Sequence, residues 1–205
     1  MKQLFFIRHG ETDNNKASII QGRSLDASIN ELGSIQAKAI RDALEPFEIQ
    51  KIVASGLCRT HETVQPLAEQ RKLEIEKYPE LDELDFGILE GKVFTEIRDQ
   101  VMEVHEQWKG GNVDFAPENG ESPRQTFTRA SRKVVEVLES SEEEHIVFMI
   151  HGRLIRILLS EWLGHGLHNM HKIEHQNGAI NRLIWEDGKF EAVELNKTDH
   201  LLELV

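Results

Sequence analysis

The chain has 205 residues, of which 39% are hydrophobic and 29% charged, and its formal net charge is -12. This composition is typical of a soluble globular protein with enough apolar material for a core. The acidic balance disfavours nucleic acid or an anionic membrane surface as a partner, although a few inward-facing arginines can still make one cleft cationic.

The compartment and the domain organisation can be predicted from sequence features that are not found in residues 1–205. Cys58 is the only cysteine, so no internal disulfide can form. The apolar run before Arg8 is too short for a signal peptide, and no stretch has the length of a membrane span. We therefore expect a cytoplasmic protein with no membrane partner. No repeat or low-complexity linker interrupts residues 1–205, which predicts one domain with a cap-like insertion at about 80–122. The sequence leaves a homodimer open.

The first predicted strand is the apolar run Leu4 to Ile7, which shows no polar alternation and therefore suits a strand buried on both faces. It ends in Arg8-His9-Gly10-Glu11-Thr12. A polar loop at 13–26 and a helix at 30–44 follow, the helix having apolar residues at helical spacing.

The later elements alternate between strands and helices. In chain order the patterns predict a strand at 51–55, a helix from about 58, a more exposed strand at 73–78, helices at about 95–108 and from Ser122, a strand at 146–150, a helix at 154–163 and a hairpin at 179–195. This order predicts a three-layer α/β/α sandwich with a mostly parallel central sheet and an antiparallel edge.

Three apolar strands are each followed by residues suited to an anion. The first ends in Arg8-His9, the second leads to Arg59, and the strand at 146–150 ends in His151-Gly152. Because ligands of α/β sheets bind outside the carboxyl ends of the strands, neighbouring strands would bring these side chains together. Guanidinium groups chelate phosphoryl oxygens, and an imidazole can supply a nucleophile. Glycines 10 and 152 would let the backbone approach a ligand closely.

These motifs resemble the histidine phosphatase superfamily, which includes the cofactor-dependent phosphoglycerate mutases. The signature matches Arg8-His9-Gly10-Glu11-Thr12, and matches continue in order over nearly the whole chain. The further matching residues are Asn15, Gln21-Gly22, Leu32-Gly33, Gln36-Ala37, Ser55 to Thr60, Leu81-Asp82-Glu83, Phe86-Gly87, Glu90-Gly91, Gly120-Glu121-Ser122 and His151-Gly152. The chain departs from the family at Gly56, near which a proline is usual.

The resemblance implies a phosphoglycerate mutase-like fold and a metal-independent reaction without a cofactor. It implies that His9 attacks phosphorus and becomes a phosphohistidine, and nearby Arg8 and Arg59 should lower the pKa of His9. Arg8, Arg59 and His151 would stabilise the transferring phosphoryl group. The implied phosphate and substrate ligands also include Asn15, Gln21, Gly22 and Gly152.

The resemblance also assigns Glu83 as the acid that protonates the leaving oxygen and then activates water. From the residues alone, Glu80, Asp82, Asp85 and Glu90 are equal candidates. The family spacing favours Glu83. Asp82, Asp85 and Glu90 could together suggest a carboxylate metal site, but we prefer solvated loop carboxylates. Two arginines should make it hard for Glu83 to hold a proton, so we expect it to become a competent acid mainly in the substrate complex.

Three reactions or roles are open to a chain of this kind. Mutases with this signature carry Glu-Arg-His-Tyr-Gly at the acid loop and Asn after the second His-Gly, whereas this chain has Glu83-Leu84-Asp85-Phe86-Gly87 and Arg153. Its 205 residues also leave no room for the mutases' longer insertions. These differences favour a phosphatase acting on a small phosphorylated metabolite. The alternatives are a phosphoglycerate mutase-type phosphotransferase and a non-catalytic phosphate-binding regulatory module.

Several other residues allow a second interpretation. Histidines 168, 171 and 175 would share a face on a helix and could bind a metal, but we prefer an exposed polar connection. Arg153 and Arg156 could reach substrate, but a solvent-facing or structural role is preferred. Arg59 could lower the pKa of Cys58, although a nucleophilic role for the thiol is disfavoured. The segment at 92–121 has few cations, which disfavours a multiply phosphorylated substrate, and the sequence does not identify the phosphate ester.

Overall fold

The computed structural model describes residues 1–204. The elements are β1 Lys2–Arg8, α1 Asp13–Lys16, α2 Glu31–Ala43, β2 Lys51–Ser55, α3 Cys58–Arg71, β3 Ile75–Tyr78, α4 Arg98–Lys109, α5 Pro123–Ser140, β4 His145–Ile150, α6 Gly152–Trp162, β5 Ile180–Glu186 and β6 Lys189–Lys197. They form a six-stranded sheet in the order β3-β2-β4-β1-β5-β6, in which the first four strands are parallel, β5 is antiparallel to β1 and β6 is antiparallel to β5. The predicted three-layer α/β architecture with an antiparallel edge is confirmed.

The two faces of the sheet bury separate apolar clusters, which explains why the central strands lack polar alternation. Leu4 and Phe6 of β1 pack against α5 and α6, whereas Phe5 and Ile7 pack against α2 and α3. Because both faces of β1 are covered, each of these four side chains is almost fully buried.

The cap segment, residues 80–122, contains α4 and two short turns of 3-10 helix and forms a third apolar cluster. Trp108 is the largest side chain in it and is 1% exposed, as expected for a core tryptophan. Ile157 of α6 also belongs to this cluster, so the cap segment is packed directly on the helix that begins at Gly152. This packing places the acid loop above the start of α6.

Two local interpretations were wrong in detail. The polar loop at 13–26 contains α1, whose amino terminus is capped by the Thr12 side chain. In α2 one of the apolar residues at helical spacing, Ile35, is 42% exposed instead of buried. The buried face instead passes through Gly33, where a Cβ would lie 2.3 Å from the carbonyl oxygen of Glu11. The helix is therefore turned so that its backbone packs tightly against the signature turn.

The predicted start of α5 is confirmed. Ser122 caps α5 in a reciprocal arrangement with Gln125, and Pro123 occupies the first helical position. Across the described residues, no helix combines the length and apolar character needed to cross a bilayer.

Candidate active site

Adjacent strands bring the two histidine motifs together. β1 and β4 are neighbours in register, with Arg8 opposite Ile150, so His9 and His151 follow equivalent strand ends. Their ring centroids are 5.3 Å apart. β2 lies on the other side of β4 and leads to Arg59, whose Nε donates to His151 Nδ1 over 3.2 Å. The four residues therefore form one cluster at the carboxyl edge of the sheet.

His9 is held in a single protonation state. Its Nδ1 lies 2.7 Å from the carbonyl oxygen of Gly10, so Nδ1 carries the proton and donates it, and Nε2 keeps its lone pair. Burial, together with the charges of Arg59 and Arg8, lowers the pKa of His9 well below its usual range. The sequence predicted the effect of the arginines, and the structure adds burial as the larger cause.

One N–H group of the Arg8 guanidinium has no hydrogen-bond acceptor among the described residues. Its Nη1 donates to the carbonyl oxygen of His175 over 3.3 Å, whereas its buried Nε has no partner among the described residues. Burial lowers the pKa of Arg8 to about 10, which still leaves it charged at neutral pH. A buried cationic donor without a partner is a feature of an anion site.

Gly152 makes room for the Arg8 side chain and also lines the cleft. A Cβ at Gly152 would lie 2.9 Å from Arg8 Nε and 3.1 Å from its Cζ. Gly10 has a similar role, because a Cβ there would lie 2.7 Å from the carbonyl oxygen of Gly33. Both glycines thus set protein-to-protein distances within the site.

We expect Gly152→Ala to reduce kcat/KM by roughly 10- to 100-fold, because a displacement of about 1 Å in a positioning group costs this much. Steady-state kinetics would measure it. Gly110→Ala is the matched control, since Gly110 also has an ordinary negative φ and lies at the end of α4, outside the cleft. Equal kinetics for the Gly152→Ala variant and the wild type would show that the position of Arg8 is unimportant.

Arg59 connects the histidine pair to the loop at 13–26. Its Nη1 donates to the carbonyl oxygen of Leu25 over 2.7 Å, and its Nη2 donates to that of Gly22 over 3.1 Å. The side chain is fully buried, and burial lowers its pKa. Gly22 itself is buried behind the cleft, where a Cβ would overlap Glu90 Oε1. Arg59 therefore supplies positive charge and also fixes the loop.

His151 is oriented from both ring nitrogens. Because its Nδ1 accepts from the permanently charged Arg59, Nε2 carries the proton in the neutral ring and donates it to Ser55 Oγ over 2.7 Å. Burial, followed by the charge of Arg59, lowers the pKa of His151 well below its usual range. The orienting role of Ser55 was missed, although its place at the end of β2 marks it for the same edge.

Two amide side chains present donors to the cleft. Asn15 Oδ1 accepts from the Thr12 backbone over 3.2 Å and from Asn177 Nδ2 over 3.1 Å. Gln21 Oε1 accepts from Asn14 Nδ2 over 2.8 Å. Their oxygens are engaged, their amide N–H groups find no acceptor within residues 1–202, and both side chains line the cleft. Asn177 was missed by the sequence analysis, because nothing in its local pattern links it to the signature.

Glu83 is the acid-loop carboxylate that lines the cleft. Its carboxylate accepts three backbone hydrogen bonds, each 2.9 Å long, from Leu84, Arg153 and Leu154. Two of these donors belong to the first turn of α6, whose N–H groups have no partner within the helix. Glu83 is thus fixed beside Gly152 and opposite Arg8.

Asp82 and Glu90 accept hydrogen bonds from the backbone, whereas the sequence had suggested solvated loop carboxylates. Asp82 is 7% exposed and accepts from the Gly56 backbone over 2.7 Å. Glu90 accepts from the backbones of Ser24 and Phe86. These bonds hold the cap segment against neighbouring loops, so Asp82 and Glu90 have a structural role.

The cleft has a volume of about 230 Å³. It is lined by Arg8, Asn15, Ile19, Ile20, Gln21, Glu83, Phe86, Gly152, Arg153 and Arg156. A purely solvent-facing placement of Arg153 and Arg156 is contradicted, because α6 starts at Gly152 and both side chains line the cleft. Three guanidinium groups and one carboxylate make this lining strongly cationic.

The structure corrects two further expectations: the effect of Arg59 on the pKa of Cys58, and the exposure of the histidines at 168, 171 and 175. Burial and the nearby Asp26 carboxylate raise the pKa of Cys58 to about 11, so Arg59 does not activate the thiol. His168 and His171 lie in a 3-10 turn, whereas His175 lies outside it and is buried with Nε2 2.9 Å from Asn181 Nδ2. The three histidines therefore share no face, and the part of the chain described shows no cluster of metal-binding side chains.

Buried neutral histidines predict a loss of stability in acid. Burial lowers the pKa of His175 well below 6.5, so its contribution is complete above pH 6.5 and is lost as pH falls toward the native pKa. We expect His175→Gln to reduce the fall in unfolding free energy between pH 7 and pH 5 by up to about 2 kcal/mol. Urea unfolding at both pH values measures this. The exposed His165→Gln control should leave the pH slope unchanged, and an unchanged slope in His175→Gln would contradict the prediction.

The fold and the paired histidines agree with the family comparison. The family model of the histidine phosphatase superfamily (branch 1) matches residues 4–198, and the chain belongs to this superfamily.

The similar proteins have the names of phosphatases or mutases. A protein of Hydrogenobacter thermophilus that carries the name phosphoserine phosphatase 2 is 27% identical over 204 residues, with both chains fully covered. A Proteus mirabilis protein named as a phosphoglycerate mutase is 28% identical and covers 94% of this chain and 89% of its own. The solved mycobacterial glucosyl-3-phosphoglycerate phosphatase has a TM-score of 0.88 and 27% identity, with 97% of this chain and all of that one covered.

Proposed function

We propose that this protein is a phosphatase that hydrolyses a small phosphate monoester through a phosphohistidine on His9, without a metal ion. The observation that carries the proposal is the state of His9. Its Nδ1 donates a hydrogen bond to the carbonyl oxygen of Gly10, its pKa is lowered, and its Nε2 keeps a lone pair, while Arg8 Nε has no partner among the described residues.

In the first step, the Nε2 lone pair of His9 attacks phosphorus, and the bond from phosphorus to the alcohol oxygen breaks. The leaving oxygen takes a proton from Glu83. Arg8 and Arg59 stabilise the charge on the transferring group, and the amide N–H groups of Asn15 and Gln21 position its oxygens. The proposal is supported by a second imidazole nearby, since Arg59 donates to His151 and the His151 ring centroid lies 5.3 Å from that of His9.

Glu83 must hold a proton for this step although two guanidinium groups are near. A bound phosphate dianion cancels much of that positive charge and so favours the protonated carboxyl. The backbone bonds from Arg153 and Leu154 keep the carboxyl in place while its proton is exchanged. Glu83 thus acts as an acid in the substrate complex.

In the second step, water attacks the phosphorus of the phosphohistidine, and the bond to Nε2 breaks. Glu83, now a carboxylate, takes the proton of the attacking water. Inorganic phosphate leaves, and His9 recovers its lone pair on Nε2. Each group returns to its starting protonation state, so the cycle needs no cofactor.

The choice of water over a second phosphate acceptor rests on the acid loop and on α6. Leu84, Asp85 and Phe86 supply no cation where the mutases resembled by this sequence have basic residues, and Arg153 stands where they have Asn. Two of the relatives carry phosphatase names, which agrees with this choice. The first alternative remains a mutase, which would require a bisphosphate primer.

A phosphate-release screen over small phosphorylated metabolites, run with EDTA, tests the proposal. We expect turnover of at least one monoester that is unaffected by EDTA and by added bisphosphate. Abolition of turnover by EDTA would overturn the metal-independent mechanism. Isomerisation without phosphate release, dependent on a bisphosphate, would establish the mutase instead, and tight phosphate binding without turnover would establish a binding module.

A further inference from the structure

The two strands that flank β1 each bring one loop to its carboxyl end. β4 brings the loop that contains His151. β5 brings the loop at 175–179, because β5 runs antiparallel to β1 and begins opposite Ile7. The chain that enters β5 therefore lies alongside the chain that leaves β1. The mechanism proposed above uses no residue of this second loop.

Hydrogen bonds between these two chains continue past the ends of the strands. The backbone of Arg8 bonds to the loop in both directions, and the shorter bond runs from the N–H of Gly178 to the Arg8 carbonyl oxygen over 3.1 Å. Further along, the Asn177 side chain takes over this contact. Its Nδ2 donates to the carbonyl oxygen of His9 over 3.0 Å and to that of Gly10 over 3.3 Å.

The amide hydrogens of Asn177 are directed at the protein. Besides the two carbonyl oxygens, Nδ2 lies 3.1 Å from Asn15 Oδ1, so two hydrogens serve three acceptors. Backbone carbonyl oxygens can only accept, which identifies Nδ2 as the atom that faces them. Asn177 lies outside the described lining of the cleft, so it acts through the residues that it contacts and not on a substrate directly.

One contact of Asn177 bears on the state of His9. The Gly10 carbonyl oxygen that accepts from Asn177 also accepts the Nδ1 proton of His9, over 2.7 Å. The hydrogen bond of one ring nitrogen determines which nitrogen of an imidazole carries the proton. Because Asn177 holds this acceptor in place, it helps to keep the proton on Nδ1 and the lone pair on Nε2.

The other contact bears on Asn15, a proposed phosphate ligand. A donor that faces the Asn15 amide requires the amide oxygen and not the amide nitrogen on that side. The Thr12 backbone N–H donates to the same oxygen over 3.2 Å. The two donors together leave the NH₂ group of Asn15 for an acceptor in the cleft, which this side chain lines.

We propose that Asn177 is a positioning residue, which holds His9 in the Nδ1–H tautomer through the Gly10 carbonyl and also orients the amide of Asn15. The inference rests on the proposed function, because it needs His9 as the nucleophile and Asn15 as a phosphate ligand. One side chain of the loop at 175–179 thus controls both groups, and loss of its NH₂ group should disturb both.

The first test removes the amide of Asn177. We expect Asn177→Ala to lower kcat/KM for p-nitrophenyl phosphate by roughly 10- to 100-fold, the effect of a misplacement of about 1 Å in the reacting groups. Asn177→Gln retains an NH₂ group and should recover part of the loss. The matched control is Gln176→Ala, which changes the exposed neighbour in the same loop and should keep wild-type kinetics. Asn177→Ser repeats each measurement if Asn177→Ala does not fold.

Two further measurements distinguish positioning from a general loss of structure. Nitrogen NMR should show the His9 ring, identified by the signals that His9→Ala removes, as the Nδ1–H tautomer in the wild type and as a mixture in Asn177→Ala. Calorimetric titration with inorganic phosphate should show about 3- to 10-fold weaker binding in Asn177→Ala, the value of one hydrogen bond. This loss should nearly vanish in an Asn15→Ala background, because the effect passes through Asn15.

The outcomes separate this inference from the proposed function. Wild-type kcat/KM in Asn177→Ala overturns the inference. An unchanged His9 tautomer overturns the role of the Gly10 carbonyl, and additive losses of phosphate affinity overturn the role of Asn15. Tautomer and affinity are measured without turnover, so these results leave the phosphatase proposal standing. Full turnover in His9→Ala contradicts that proposal and, with it, the nucleophile that Asn177 positions.

Discussion

His9→Ala is expected to lower kcat for any monoester substrate by on the order of 10⁴-fold or more, the usual effect of removing a covalent nucleophile. The physical reason is that no other group can replace Nε2. His151 Nδ1 accepts from Arg59 and its Nε2 donates to Ser55, so neither nitrogen is free for attack. Phosphate release under multiple turnover measures the effect.

The folded state of His9→Ala can be checked separately, because the variant should still bind inorganic phosphate through Arg8 and Arg59. His165→Ala is the matched control, since His165 is an exposed histidine outside the cleft. Wild-type turnover by a folded His9→Ala variant would exclude the phosphohistidine mechanism.

Glu83→Gln should lower kcat for alkyl phosphates by about 10²- to 10⁴-fold, the range for loss of a general acid and base. The loss should depend on the leaving group. Release of p-nitrophenol needs little acid assistance, so the first turnover with p-nitrophenyl phosphate should persist as a burst, whereas hydrolysis of the phosphoenzyme stalls. Rapid-mixing absorbance measures the burst and the following steady state.

The amide also has a structural consequence, because Gln retains one acceptor oxygen where Glu83 receives three N–H groups. Asp82→Asn serves as the control: Asp82 is an equally buried acid-loop carboxylate that accepts from Gly56 and is not part of the cleft lining. An equal loss for p-nitrophenyl and alkyl phosphates in Glu83→Gln, with no burst, would contradict acid catalysis by this residue.

The strand ends were predictable from the sequence because each is a local feature. A continuous apolar run followed by Arg-His or His-Gly needs no tertiary information, and the parallel sheet then brings Arg8, His9 and His151 to one edge. Which carboxylate acts as the proposed acid could not be predicted from the local sequence. Five carboxylates share the loop, and only the fold shows that α6 begins beneath Glu83 and that Asp82 binds Gly56 instead.

The misplaced residues share a cause, namely that their neighbours lie far away in sequence. Arg153 and Arg156 read as an ordinary first helical turn, because the cap segment that encloses them is contributed by residues about 50 positions earlier. The positive charge of the adjacent Arg59 was expected to lower the pKa of Cys58, yet burial and Asp26 raise it. Asn177, which holds Asn15 and the carbonyl oxygens of His9 and Gly10, carries no signal in its own segment.

The central claim is that the phosphoryl group passes through His9. Rapid alkaline quenching of Glu83→Gln during the p-nitrophenyl phosphate burst, followed by peptide mass spectrometry, locates that group directly. We predict one acid-labile phosphate on the peptide that contains His9, in amount equal to the burst. A phosphate on any other residue, or a burst with no phosphorylated peptide, would contradict the account.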